Sequence, residues 1–323
     1  MAFKVKRRLV NELEIYVLMD EDNKTQASII PEIGNNLVSW IITRQQRIEL
    51  IHIPVPINEL KNEEKQFYGN PILFPFPGRI VNGEFSFKNM QYKIPINFRD
   101  GTAIHGFVYD RKWDVQDIKQ TNSFASITST YTSTNQIHKY FPFPFEIQLT
   151  YRLQIDFLEM AFNIRNLGKN VLPMGLGIHP YFSIDSSRSD WKLELPAKSR
   201  YNLTNCIPTG EKMPVKDRYD FRNMKKLNDI YLDDLFGDII KDNRKHFKVY
   251  LENPDASLKL KIDSDENFDY CVIYAPENQN FICIEPYTCI TNVFNFANSD
   301  ITTGLIELGP QEMFSAKISF SIV

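Results

Sequence analysis

The sequence predicts an all-β fold, a large antiparallel β-sandwich with very little helix. Apolar residues recur mostly at every second position rather than with the 3.6-residue period of a helix. The runs are short and separated by Pro-, Asn- or Asp-bearing connections such as Glu252-Asn-Pro-Asp. Aromatic residues are abundant, 24 Phe and 15 Tyr against only 13 Gly, which favours pleated strands over the glycine-rich turns of nucleotide-binding folds.

The clearest strand begins at Phe145, where Phe145, Ile147, Leu149, Tyr151 and Leu153 alternate with polar neighbours. Leu158, Met160, Phe162 and Ile164 repeat the pattern after a short connection through Asp156, so the two runs read as an antiparallel hairpin. Further short strands are expected at 125–131, 191–195, 247–251, 258–262, 270–274, 281–284 and 317–322. Helix is expected only over 57–66, for two or three turns, and over 225–232, for a single turn. Phe74-Pro-Phe-Pro is echoed by Phe141-Pro-Phe-Pro, but the flanking residues do not repeat. No linker or shift in composition divides the chain, so one domain over residues 1–323 is the expectation.

Charge and cysteine usage exclude several classes. With 37 Lys+Arg against 40 Asp+Glu the net charge is −3, a poor balance for binding a phosphate backbone, and no nucleic-acid partner is expected. The run Lys4, Lys6, Arg7, Arg8 reads as a solvated strand face. Nowhere do about 18 apolar residues run together, and the basic first residues have no apolar segment behind them, so neither membrane partner nor secretion is expected. Cys206, Cys271, Cys283 and Cys289 match no zinc spacing and are too few to staple the chain, which points to reduced thiols and a cytoplasmic location.

The common catalytic signatures are missing. Gly175-Leu-Gly177-Ile-His-Pro180 begins like a dinucleotide fingerprint, but Pro180 stands where the third glycine belongs. Gly168-Lys169 lacks the rest of a P-loop, and neither His-Glu-x-x-His nor Gly-x-Ser-x-Gly occurs. Four other places combine ionisable residues with turn chemistry. Arg79 follows a stiff proline-rich segment and Gly78; His105 lies in Gly101-Thr-Ala-Ile-His-Gly-Phe; His179 ends Gly175-Leu-Gly-Ile-His-Pro-Tyr-Phe; Glu285 ends the apolar run Phe281-Ile-Cys-Ile. Singly, each reads as a structural hydrogen-bonder or ion-pair partner. Together with their aromatic flanks they fit a sugar cleft, because sugars offer C–H faces to rings and hydroxyls to polar groups. Composition leaves open whether such a carbohydrate-binding protein is an enzyme.

At these motifs the chain resembles the aldose 1-epimerase (galactose mutarotase) family, in a divergent His-Gly-Phe branch. The likeness runs from Ala27-Ser-Ile-Ile-Pro-Glu to Glu307-Leu-Gly-Pro-Gln-Glu, with Gly-Arg79-Ile, His105-Gly-Phe, Gly-Ile-His179-Pro-Tyr-Phe, Asp233-Asp-Leu-Phe236 and Ile-Glu285-Pro-Tyr in the family's order. It implies a supersandwich that interconverts the α and β anomers of a free aldose without metal or cofactor. By that resemblance His179 is the general acid at the ring oxygen and Glu285 the general base at the C1 hydroxyl. His105 bonds near the reacting oxygens, and Arg79 and Asp233 hold sugar hydroxyls. Asp233 rather than Asp234 fits the family's Asp-x-x-Phe spacing. An imidazolium and a carboxylate with ordinary pKa values, about 6.5 and 4.3, are expected on opposite sides of the hemiacetal. Gly78 replaces the family's usual Asn, and His-Gly-Phe its usual His-Gly-Gly. A hexose-6-phosphate mutarotase and a non-catalytic sugar binder are the alternatives.

Overall fold

Antiparallel pairing builds nearly the whole molecule. The computed structural model describes residues 2–44, 46–65, 67–184, 186–296 and 302–323, among which three larger sheets and three two-stranded ribbons are found. The expected hairpin forms as Phe145–Gln154 against Phe157–Asn166, turning at Asp156 with a positive φ of 51°. Its alternation is realised as burial: Phe145, Ile147, Leu149, Tyr151 and Leu153 point inward, and their neighbours are half-exposed. This hairpin is the centre of a nine-stranded sheet that also takes in Ala125–Thr132, Met313–Ile322, Leu258–Ser264 and Phe247–Asn253. An eight-stranded sheet carries Ala197–Thr204, Leu232–Ile239, Tyr270–Ala275 and Phe281–Tyr287 side by side, ending at the two-residue strands Gly177–Ile178 and Ile72–Leu73.

The first fifty residues make a five-stranded meander from Phe3–Val10 to Arg47–Glu49. Lys4 and Arg7 on its outer strand pair with Glu21 and Glu14, consistent with a solvated face. One apolar cluster runs through the molecule, from Trp40 and Leu73 to Ile262 and Phe320. The two Phe-Pro-Phe-Pro segments meet there. Phe76 packs edge-on against Phe107 at 5.6 Å and Phe107 against Phe141 at 5.4 Å, so the echo serves a shared aromatic cluster.

One helical expectation holds in part and the other is corrected. A two-turn 3-10 helix forms at Ile57–Asn62, within the expected stretch, whose last residue, 66, lies outside the described residues. At 225–232 there is no helix. Lys225–Lys226 pairs with Lys192–Glu194, Leu227 donates its N–H to the Trp191 carbonyl, and Asn228 has a positive φ of 24° that no right-handed helix accommodates. The edge of the nine-stranded sheet takes these backbone groups, and local propensity yields to it.

Leu149 is fully buried in the central hairpin, so Leu149→Ala should destabilise the fold by about 2–5 kcal/mol. Chemical denaturation reads this directly: a midpoint unchanged from wild type would show that the hairpin is not core.

Candidate active site

The eight-stranded sheet supplies a floor by register alone. Asp233 lies opposite Tyr274, Tyr274 opposite Cys283, and Cys283 opposite Tyr181, one cross-strand row over four strands. Two positions along, Leu235, Val272 and Glu285 form the next row. Because strand side chains alternate, both rows face the same side. Above them is a cavity of about 240 Å³ that all five sequence-predicted residues, Arg79, His105, His179, Asp233 and Glu285, line together.

His179 follows the two-residue strand Gly177–Ile178, and its N–H bonds the Pro71 carbonyl. Gly177 pairs with Tyr287, and a β-carbon there would stand 2.6 Å from the Tyr287 ring. The glycine therefore lets that ring lie close, where its hydroxyl donates to Glu285 Oε2 at 2.6 Å. The other carboxyl oxygen, Oε1, lies 3.2 Å from His179 Nε2. The His179 ring stacks on Tyr181 with centroids 4.7 Å apart, which fixes its plane.

The opposite wall is built from backbone strain. His105 and Gly106 are consecutive residues with positive φ, 64° and 74°, and a β-carbon on Gly106 would meet the Phe74 carbonyl oxygen at 2.0 Å. His105 Nδ1 accepts the Gly78 N–H at 3.3 Å, which leaves the proton of the neutral ring on Nε2. Gly78 has φ 69°, and a β-carbon there would collide with Thr291 Oγ1. That hydroxyl accepts the Arg79 N–H at 2.7 Å, so Thr291 fills the place a side chain at position 78 would take. Arg79 Nε donates to Asp100 Oδ2 at 2.9 Å, and its guanidinium lies over the Phe98 ring. Cys206, its thiol pushed up to about 11 by burial, donates to Asp233 Oδ2 at 3.2 Å. Asp234 is instead bound by Arg200 at 3.2 Å.

Burial governs the charges. It lowers His179 to about 3 and drives Glu285 well above the usual carboxylate range; the Tyr287 hydroxyl opposes the latter shift and Asp233 reinforces it. His105 is held well below its usual range by burial, then by His179 and Arg79. The expectation of an imidazolium and a carboxylate with ordinary pKa values across a ring is thus corrected. The two groups touch and stand on one sheet face, and burial opposes the charged form of each. His179, Cys283 and Glu285 also bring three metal-ligating atoms within 4.8 Å of one another. Burial raises both the thiol and the carboxyl, so a cation there would compete with protons for two of its three ligands.

Sequence reasoning assigned no role to Tyr181, Tyr287, Asp100, Thr291 or Cys206. Tyr287 had a signal, standing two residues beyond Glu285 on one strand and hence on the same face, and Tyr181 belonged to the quoted His179-Pro-Tyr-Phe motif. The other three reach the site from remote segments and had none.

The comparisons with known proteins agree over nearly the whole chain. Residues 16–321 match the aldose 1-epimerase family. The uncharacterized protein YihR of Escherichia coli K12 is 27% identical over 250 residues, 75% of this chain and 76% of that one. A galactose mutarotase-like protein of Clostridium acetobutylicum superposes with a TM-score of 0.88 at 25% identity, covering 100% of this chain and 99% of that one. Galactose 1-epimerase of Lactobacillus acidophilus NCFM shares the fold, with a TM-score of 0.81 at 15% identity over 99% of both chains. With a match of that extent, an antiparallel galactose mutarotase-like sandwich and the five motif residues in one cavity, the chain belongs to the aldose 1-epimerase family.

Proposed function

We propose that this chain is a mutarotase that interconverts the α and β anomers of a free aldose, within one domain over residues 1–323. The observation that carries the reading is the 3.2 Å contact of His179 with Glu285 in a cavity sized for one sugar ring. With the pair's proton moved from Glu285 Oε1 to His179 Nε2 across their contact, His179 Nε2–H gives a proton to the ring oxygen while Glu285 Oε1 takes the proton of the C1 hydroxyl. The C1–O5 bond breaks with its electron pair on O5, and C1 becomes an aldehyde. Rotation about C1–C2 exposes the other face, and reclosure runs both transfers backwards.

The open-chain stage leaves a neutral imidazole and a neutral carboxylic acid, the distribution that burial favours in the free protein. Ring opening therefore discharges the buried ion pair that proton transfer from Glu285 to His179 must first form, and returns both groups to their neutral forms. His105 offers its Nε2–H near the reacting oxygens, and Arg79 and Asp233 hold sugar hydroxyls. Every step is a proton transfer, so the cycle needs no electron or group carrier. Four free cysteines, three of them buried, support a reducing, cytoplasmic setting.

A phosphorylated hexose suits the cavity less well. Asp100 already engages Arg79, and Asp233 and Glu285 stand beside it. Rates on glucose should exceed those on glucose 6-phosphate; a strong preference for the phosphate would overturn the free-aldose reading. Glu285→Gln and His179→Asn should each slow anomer exchange by about 10²–10⁴-fold in polarimetry while sugar binding persists. Undiminished exchange in either variant would remove that residue from the mechanism, and undiminished exchange in both would discard the reading.

The pH profile follows from the shifts. His179 is lowered to about 3, so the dyad gains a second proton only toward that pH, and the acid limb of kcat/KM should fall there rather than near 6.5. The Tyr287 hydrogen bond lowers the Glu285 pKa, so Tyr287→Phe should move the alkaline limb to higher pH. An acid limb near 6.5 would mean that His179 is not buried as a neutral ring during the reaction.

A further inference from the structure

The catalytic cavity opens into a larger one. An outer cavity of about 800 Å³ shares five wall residues with the inner one: Phe67, Phe98, Arg99, Tyr181 and Tyr274. One ring does not fill such a space, since a ligand site of this size ordinarily encloses a molecule well beyond a monosaccharide. The lining has the composition that suits a sugar. Phe281 packs against His52 at 5.1 Å and Tyr181 at 4.9 Å, forming an aromatic wall that continues the Tyr181 platform under His179. Phe67 is 39% exposed and leans on Phe98 at 6.2 Å, an aromatic left uncovered at the junction of the two cavities. Gln279 is an exposed amide on the same lining.

The wall is rigid where it matters. The His52 N–H bonds the Tyr181 carbonyl, and the His52 carbonyl accepts the Gly69 N–H, so this segment is tied to the strand that carries the site. Charge selects the ligand class. Glu63, Glu64 and Asp110 line the outer cavity against Lys65 and Arg99, so carboxylates outnumber cations and an anionic extension has no matching field.

We propose that the outer cavity is a second sugar subsite, and that the substrate is the reducing-end residue of a short neutral glycan. This rests on the mutarotase reading. The terminal hemiacetal ring occupies the inner cavity at His179 and Glu285, and the glycosidically linked neighbour lies in the outer cavity against His52 and Phe281. Such substrates arise where a glycoside hydrolase cuts a chain, because inverting and retaining enzymes each release one anomer.

The test compares glucose and galactose with maltose, cellobiose and lactose, using the full chain. Anomer exchange is followed by polarimetry. Binding is followed by calorimetry on the wild type and on Glu285→Gln, a readout that does not need turnover. At least one disaccharide should exceed its own reducing-end monosaccharide by about tenfold in kcat/KM and in affinity. Gln279→Ala, at an exposed position, and His52→Ala should each bring that ratio toward one. If monosaccharides exchange and bind as well as every disaccharide, the subsite is wrong and the mutarotase reading stands. If no sugar is exchanged but a disaccharide still binds more tightly than its monosaccharide, the subsite stands and the reaction assignment falls. A ratio unmoved in both variants would also overturn the subsite.

Discussion

A histidine and a glutamate buried in contact, with burial opposing charge on each, set the terms for the rest of the site. Either group alone, charged and stripped of water, would destabilise its surroundings by several kcal/mol. Together they remain neutral overall whichever one holds the proton. The 3.2 Å separation lets that proton pass directly, and the Tyr287 hydroxyl on the far carboxyl oxygen keeps Oε1 turned toward the imidazole. The remaining charges are arranged around this pair. Arg79 is matched by Asp100, and the Cys206 thiol donates to Asp233.

Close approach of backbone segments makes the arrangement possible. Gly177 admits the Tyr287 ring, Gly106 admits the Phe74 carbonyl, and Gly78 admits Thr291. These contacts join the short ribbon of Arg79–Val81 and Thr102–Ile104 to the end of the eight-stranded sheet. The sheet is wide and buried, so its register holds Asp233, Tyr274 and Glu285 at fixed spacing. The substitution of glycine for the family's usual asparagine before Arg79 has a physical counterpart in Thr291, which occupies the space and holds the Arg79 backbone.

The outer cavity extends the same logic from chemistry to selection. On the proposed reading the inner cavity supplies proton transfer to any hemiacetal that fits, and the aromatic wall from Tyr181 to Phe281 with the acid-rich lining beyond it discriminates by what is attached to that ring. On that reading catalysis depends on the strand ends, and choice of substrate on the connections around His52, Phe67 and Gln279.

Much of the architecture was legible along the chain because a half-buried strand writes its burial directly as alternation. The hairpin of Phe145–Gln154 and Phe157–Asn166 could be read residue by residue, and the short strands that follow it nearly so. The strands before residue 44 were not, since Leu13–Asp20 and Asn36–Thr43 are buried on both faces and lose the alternation, and the non-helical course of 225–232 was not, since there backbone pairing with a remote segment outweighs local pattern. Four candidate site residues, Arg79, His105, His179 and Glu285, could be named because unusual residue types stand beside glycine and proline, and Asp233 only through the family resemblance. Amino-acid order by itself determined those residue types and the period of the strands. Only the tertiary structure decided that His179 and Glu285 touch, that burial opposes charge on both, and that Asp100, Thr291 and Cys206 join them. Contact distance and desolvation are properties of the packed cavity, and no local run of residues carries them.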